Sequence, residues 1–159
     1  MLLIIKKEIG MSDLIFNVKG ESHSPAKFIA KTGKFQLIID EPEALGGTDE
    51  GPSPVEYILA GLAGCLNVVG HLVAKELGFT IDKLKIEVTG NINPDRLLGV
   101  SNTERAGFKK IDLKLIPETD APIEVLVDWL KIVQDRCPVK DNLMNSTLIG
   151  TSVEKQYVS

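Results

Sequence analysis

The sequence predicts an α+β protein, and three observations carry that reading. Three strand-like segments follow one another before any helical pattern begins. A long apolar helical stretch then occupies Pro54 to Leu77. Two alternating segments and a second helical pattern come after it. A doubly wound parallel sheet alternates strand and helix from its start, whereas runs of strands followed by helices belong to the α+β class.

The opening Met1-Leu-Leu-Ile-Ile5-Lys-Lys7 puts its apolar run ahead of its charges, the reverse of a secretory signal. Residues 1–11 read as an irregular extension of a single domain spanning 1–159. Leu14, Phe16 and Val18 alternate with Ile15 and Asn17 and predict a weak first strand. Lys27 to Lys31 and Phe35 to Asp40 read as the second and third strands, joined at Thr32-Gly33, with Phe35, Leu37 and Ile39 on one face. Glu41 to Pro54 holds three Pro and three Gly in 14 residues, which makes it a loop. Ser53 followed by Pro54 is a helix start signal, with Ser as N-cap and Pro in the first turn.

The helix from Pro54 to Leu77 is stopped by Gly78. It is apolar nearly all round, which predicts burial on most sides. Ala60, Gly61, Ala63 and Gly64 admit a second backbone, although each helical Gly costs roughly 1 kcal/mol relative to Ala. A chain of 159 residues has limited means to enclose such a helix, so the pattern points to an oligomeric core. Leu84, Ile86 and Val88 alternate with Lys85, Glu87 and Thr89, a strand with one wet face. Asn91 to Ala106 is a polar connection, and Ile111, Leu113 and Leu115 mark another strand. Pro117 and Pro122 bracket a turn. Ile123, Leu126, Val127, Leu130 and Val133 then recur at helical spacing up to Arg136, where Pro138 limits the helix. A short helix from Pro138 to Asn145 and a last strand from Leu148 to Tyr157 complete the chain.

Composition narrows the function. Eighteen basic against 22 acidic residues give a net charge of -4, and no run of five or more Lys/Arg exists. Nucleic-acid binding is a poor fit, because phosphate neutralisation supplies most of that affinity. Two Cys and two His exclude a four-cysteine zinc site. Cys65 and Cys137 stand 72 residues apart, without the spacing of a mixed site, so neither metal nor cofactor is expected. Two cysteines are no disulfide framework either, and the chain reads as cytoplasmic, where thiols stay reduced unless they do chemistry. Tyr57 to Ala74 is 18 residues without a formal charge, the length of a membrane span. Asn67, His71 and three glycines inside it, and the soluble-sheet alternation elsewhere, favour a buried core helix and no membrane.

The cysteines are the candidate chemistry. Cys65 lies mid-helix, where a free Cys commonly packs as a small hydrophobe. Cys137 follows Arg136 and precedes Pro138 at the start of a new helix. A helix N-terminus and a neighbouring cation favour thiolate there, although Cys137 also continues the apolar stripe four residues after Val133. Glu56, with Asp49 and Glu50, is an acid near Cys65 in sequence. Nine residues at 3.6 per turn put Glu56 about 180° around the helix, so one straight helix keeps the two apart. The alternatives are a broken first turn, an acid on another chain, or an acid in the preceding loop. His71, six residues past Cys65, points elsewhere, and His23 has no visible partner. Gly46-Gly47 and Gly51 lack the Gly-Lys-Ser/Thr of a phosphate loop. Trp129 reads as packing.

The stretch Gly46-Gly-Thr-Asp-Glu-Gly-Pro-Ser-Pro-Val-Glu-Tyr-Ile-Leu-Ala-Gly-Leu-Ala-Gly-Cys65 resembles the OsmC/Ohr superfamily. Arg136-Cys-Pro-Val-Lys-Asp-Asn-Leu143 resembles that family's Cys-Pro-Val motif. The resemblance spans about residues 12 to 157. It implies antiparallel sheets packed around long central helices in an intertwined homodimer. It also implies thiol-dependent reduction of organic hydroperoxides, with Cys65 as peroxidatic thiol, Cys137 as resolving thiol, Glu56 as the helix-start acid, and a dithiol as reductant. The family's N-terminal arginine has no counterpart, because the first arginine here is Arg96. Lys31 and Lys34 fall in that segment without the planar fork of Arg, and Arg105 and Arg136 are other donors. That departure motivates an alternative, an OsmC-fold dimer binding a small apolar or electrophilic ligand without peroxidase activity.

Overall fold

A computed structural model of the chain describes residues 13–157. The chain divides into two compact units, one ending at Pro54 and one beginning at Val55. The Met1–Lys7 run and the extension expected over residues 1–11 lie outside the described residues.

In the first unit, β1 (Lys19–Ser22), β2 (Phe28–Thr32) and β3 (Phe35–Ile39) form an antiparallel sheet in the order β1-β2-β3. The β2–β3 hairpin closes on Thr32↔Phe35 through two residues, and Gly33 supplies the φ of +56° that such a turn demands. The β1–β2 turn is held by Ser24, whose hydroxyl accepts from the Ala26 and Lys27 N–H groups at 3.2 and 2.9 Å. The first strand therefore sits later than the 14–18 alternation predicts. Residues 14–18 have no regular structure, and Leu14, Ile15, Phe16 and Val18 are all exposed. Alternation marks a face that wants burial, and these residues find no covering surface in the described chain.

Asp40, fully buried just past β3, organises the Pro/Gly loop that follows. Its carboxylate accepts from the Thr48 hydroxyl at 2.7 Å and from the backbone N–H groups of Glu41, Thr48 and Glu50 at 2.9, 3.1 and 3.2 Å. Lys27 lies 3.7 Å away and pairs with Glu50 at 2.8 Å. Burial pushes the Asp40 carboxyl up, but the Thr48 hydroxyl and the three backbone donors outweigh it and hold the group at about 2. Gly47 is dictated by contact, because a Cβ there would meet the Glu41 carbonyl. The loop contains one 3₁₀ turn, Glu43–Leu45.

The second unit comprises α1 (Pro54–Glu76), β4 (Lys83–Asn91), β5 (Lys110–Glu118), α2 (Ile123–Arg136) and α3 (Pro138–Met144). Strands β4 and β5 pair antiparallel from Lys83↔Glu118 to Asn91↔Lys110. Their inner face (Leu84, Ile86 and Val88 with Ile111, Leu113 and Leu115) packs on a core of Leu62, Leu66, Val69, Val73, Trp129, Val133 and Cys137. Their outer face is charged, with Lys85–Glu87 at 2.6 Å and Lys110–Asp112 at 2.8 Å. Buried residues of α1 recur at 62, 66, 69, 70, 73 and 74, one stripe of the helix. Trp129 joins α2 to that stripe by donating its indole N–H to the Gly70 carbonyl at 2.8 Å. Gly70 leaves room for the ring, since a Cβ there would stand 3.1 Å from it.

Three further expectations change. Pro117, read as the edge of a turn, lies inside β5 opposite Leu84. Among the described residues β5 pairs only with β4, and the edge of a sheet tolerates a residue without an N–H. The strand expected over Leu148–Tyr157 does not form; Leu148, Ile149, Val153 and Tyr157 are 81–99% exposed. Burial of α1 on most sides is not achieved, since a third of its apolar window is buried. By length and composition α1 also passes the test for a membrane span, but its buried stripe packs on α2 and the β4–β5 hairpin as a core helix does.

Candidate active site

The two cysteines meet in the second unit. Leu62, Leu66, Val69 and Val73 press α1 onto the core, which holds Cys65 toward α2 and α3, half-buried among them. Cys137 stands between two helices, as the C-cap of α2 and the N-cap of α3, with φ -81° and ψ 109°. Pro138 follows at the first helical position, where its missing N–H costs nothing. The Cys137 sulfur accepts from the Lys140 N–H at 3.4 Å, as an N-cap should. Cys137 is 0% exposed. The two Sγ atoms are 3.0 Å apart in a thiol–thiol hydrogen bond, and both cysteines are free.

Electrostatics separate the pair from an ordinary reactive thiol. Burial pushes the Cys65 thiol up, and the hydrogen bond with Cys137 adds to that. The Val139 backbone N–H, from the first turn of α3, acts in the opposite direction. The cations beside Cys137 are occupied elsewhere. Arg136 forks onto Glu76 with contacts of 2.5 and 3.3 Å, and the Lys140 ammonium reaches the Gln134 carbonyl at 3.5 Å. Glu76 drives the Arg136 guanidinium further up, so this cation is committed to an ion pair. Arg136 therefore fixes the end of α2 against the end of α1, rather than meeting a sulfur.

The structure brings Cys65 and Cys137 together and leaves Glu56 apart. Helix α1 is continuous from Pro54, so the broken first turn is absent and Glu56 sits exposed in the opening turn. Nine residues at 1.5 Å rise place it about 13 Å along the axis from Cys65 and on the opposite side. His71 is exposed on α1, and Trp129 is a core residue. Glu50 and Asp49 belong to the first unit, where Glu50 serves Lys27 and Thr48 and Asp49 adopts a left-handed φ of 55°. Sequence reasoning missed Glu76. Its signal is spacing: eleven residues, close to three turns, put it on the same side of α1 as Cys65. Among the described residues, no group of three or more His, Cys, Asp or Glu is arranged to hold a metal ion.

The α+β fold brings two free cysteines together, one on a long helix and one at a Cys-Pro helix start. The chain belongs to the OsmC-like protein family, whose model matches residues 47–152. It is 25% identical over 150 residues to the hydroperoxide reductase of Mycoplasma pneumoniae, covering 92% of this chain and 99% of that one. Its fold matches the crystal structure of an OsmC-like protein from Mycoplasma pneumoniae with a TM-score of 0.73 at 22% identity, over 84% of this chain and 89% of that one. The organic hydroperoxide resistance protein OhrB of Bacillus subtilis superposes with a TM-score of 0.55 at 25% identity, over 81% and 90% of the two chains.

Proposed function

We propose that the protein reduces organic hydroperoxides with its thiol pair, Cys65 attacking and Cys137 resolving. The observation that carries this reading is the 3.0 Å contact between one half-buried and one fully buried sulfur. Cys65 is the more accessible of the two sulfurs, which supports it as the thiol that meets the peroxide. Its thiolate takes the distal peroxide oxygen, the O–O bond breaks, and the alkoxide leaves as alcohol after taking a proton. Cys65 is then a sulfenic acid. The Cys137 sulfur forms the S–S bond as hydroxide departs, and with the Cys137 proton this leaves as water. An external dithiol returns both thiols and is itself oxidised to a disulfide. Atoms and electrons balance without a bound metal or cofactor.

The Mycoplasma relative's name supports the substrate class. The setting we propose is a single OsmC-like domain, since the family match runs across the junction between the two units. We place it in the cytoplasm, where dithiol reductants operate. A homodimer is supported by α1 itself. Gly61 and Gly64 have open space where a Cβ would stand, and Val68 and Leu72 on the same helix are 66% and 46% exposed. Glu56 reaches a thiol pair only across such an interface. The test is consumption of cumene hydroperoxide with dithiothreitol. The parent consumes it, and Cys65→Ser abolishes thiol-dependent turnover; unchanged turnover in that variant rejects the proposal.

A second reading draws on the raised Cys65 pKa and the absent N-terminal arginine. In it, the dimer binds a small apolar or electrophilic molecule without turnover. A parent protein that alkylates slowly at Cys65 and leaves cumene hydroperoxide untouched would select it.

A further inference from the structure

Two sulfurs this close can grip one atom between them, and their spacing selects which. They stand 3.0 Å apart as free thiols, each fixed by its own element. Cys65 rides on α1, whose apolar stripe is locked into the core, and Cys137 is held as the N-cap of α3. Bonds from a soft centre to sulfur are about 2.3 Å long. At that length a linear centre needs its two sulfurs about 4.6 Å apart, and a tetrahedral one about 3.8 Å. A centre whose bonds meet near a right angle needs about 3.3 Å, a few tenths of an ångström from the observed gap. Trivalent arsenic has that shape, because its lone pair presses its three bonds together.

The site offers two ligands and no third. Among the described residues no group of three or more His, Cys, Asp or Glu is arranged to hold a metal ion. The third bond of the arsenic therefore belongs to a substituent that the arsenic brings with it. The surroundings suit a carbon one, since Leu130 and Val133 of α2 and Val139 and Leu143 of α3 pack in the same core as Cys137. Cys65 is the more accessible sulfur, so the first bond forms there and the second closes inward onto Cys137. Burial holds the Cys65 thiol above its ordinary range, so it keeps the proton that this exchange consumes.

We propose that Cys65 and Cys137 capture monosubstituted trivalent organoarsenicals, one per chain, as a cyclic dithioarsenite. The arsenic gains two As–S bonds and gives up its bonds to one oxygen. Both thiol protons leave with that oxygen as water. Arsenic stays trivalent and neither sulfur is oxidised, so no oxidant or reductant is required. The inference rests on the thiol pair of the peroxide reading, but not on its sulfenic acid step.

The test uses the full chain and phenylarsine oxide, supplied at one equivalent in ~1 mM 2-mercaptoethanol, a monothiol competitor at least 10³-fold more dilute than a second sulfur held in place. Intact mass should show one phenylarsenic unit gained and two hydrogens lost, and iodoacetamide should find no reactive thiol. The dithiol 2,3-dimercaptopropanol should strip the adduct. Cys65→Ser and Cys137→Ser should each weaken capture by about 10³-fold or more. Cys137→Ser retains an oxygen to cap α3, and circular dichroism checks that both variants are folded. In concentrated guanidinium chloride the two cysteines, 72 residues apart, should act as separate monothiols and lose the arsenical to 2-mercaptoethanol. No adduct on the parent, capture that survives either serine substitution, or equal capture by the unfolded chain would overturn the proposal. A parent that captures the arsenical but leaves cumene hydroperoxide untouched rejects the peroxide reading alone. A parent that turns over the peroxide but takes up no arsenical rejects this one alone.

Discussion

Replacing Cys137 by Ser separates the two steps of the proposed reaction. Serine keeps the helix start intact, because its hydroxyl accepts from the Lys140 N–H as the sulfur does. The fold should persist while the resolving sulfur is lost. In the parent that sulfur lies 3.0 Å from its target and has only about 1 Å to travel to bonding distance. A thiol confined within about 3.5 Å of its partner occupies roughly 180 Å³, equivalent to a concentration of about 9 M before any gain from orientation. Dithiothreitol supplied at ~1 mM is therefore roughly 10⁴-fold more dilute, and direct reduction of the sulfenic acid should be slower by about that factor. The expected result is one oxidised sulfur per chain after a single peroxide addition, trapped on Cys65 by dimedone and read by mass spectrometry. At this dithiothreitol concentration the sulfenic acid should persist about 10⁴-fold longer than in the parent. The parent should instead lose two mass units and trap no dimedone. A Cys137→Ser protein that turns over at the parent's rate without accumulating sulfenic acid would refute the resolving role.

Four other outcomes follow from the same geometry. The Cys65 thiol is held above its ordinary range by burial, so its alkylation by iodoacetamide should rise at higher pH than that of free cysteine; a profile shifted toward neutral pH contradicts this. Asp40 has a folded pKa near 2, below its unfolded value. Its stabilisation is full above about pH 4 and is lost as pH falls through 2. Asp40→Asn should remove that part of the acid transition followed by circular dichroism. Trp129→Phe loses the bond to Gly70, about 1 kcal/mol, and leaves roughly 40 Å³ empty, about another 1 kcal/mol. A drop in Tm of roughly 4–8 °C is expected in calorimetry. Val68→Asp, at a residue 66% exposed on α1, should leave the protomer folded and shift the sedimentation of the proposed dimer to that of a monomer; a parent that already sediments as a monomer rejects the dimer.

The second unit was legible in the sequence because its elements satisfy themselves locally. Leu84, Ile86 and Val88 find Ile111, Leu113 and Leu115 across one hairpin, and the Pro54 and Gly78 signals bound a helix that packs by its own stripe. The misread segments depend on partners that local pattern does not name. Leu14 to Val18 and Leu148 to Tyr157 alternate like strands, yet pairing needs an edge, and the chain's own edges leave both segments exposed. Pro117 looked like a terminator because the absence of a second neighbour for β5 among the described residues is a property of topology, not of residue type. At the site, the cysteine motifs marked both sulfurs, but not that Arg136 turns away to Glu76. Proximity in sequence suggested a cation for Cys137, whereas a carboxylate three helical turns beyond Cys65 claims it.

Trp129 has one further consequence. It is the only tryptophan in the chain, it is buried, and its indole is hydrogen-bonded to the backbone of α1 five residues past Cys65. It also rides on the same helix that ends at Cys137. Joining the two sulfurs would pull on both helices that frame this ring, altering the polarity and the quenchers it meets. The protein thus carries its own optical reporter, and the oxidation of a colourless thiol pair should be readable, without any label, as a change in ultraviolet emission.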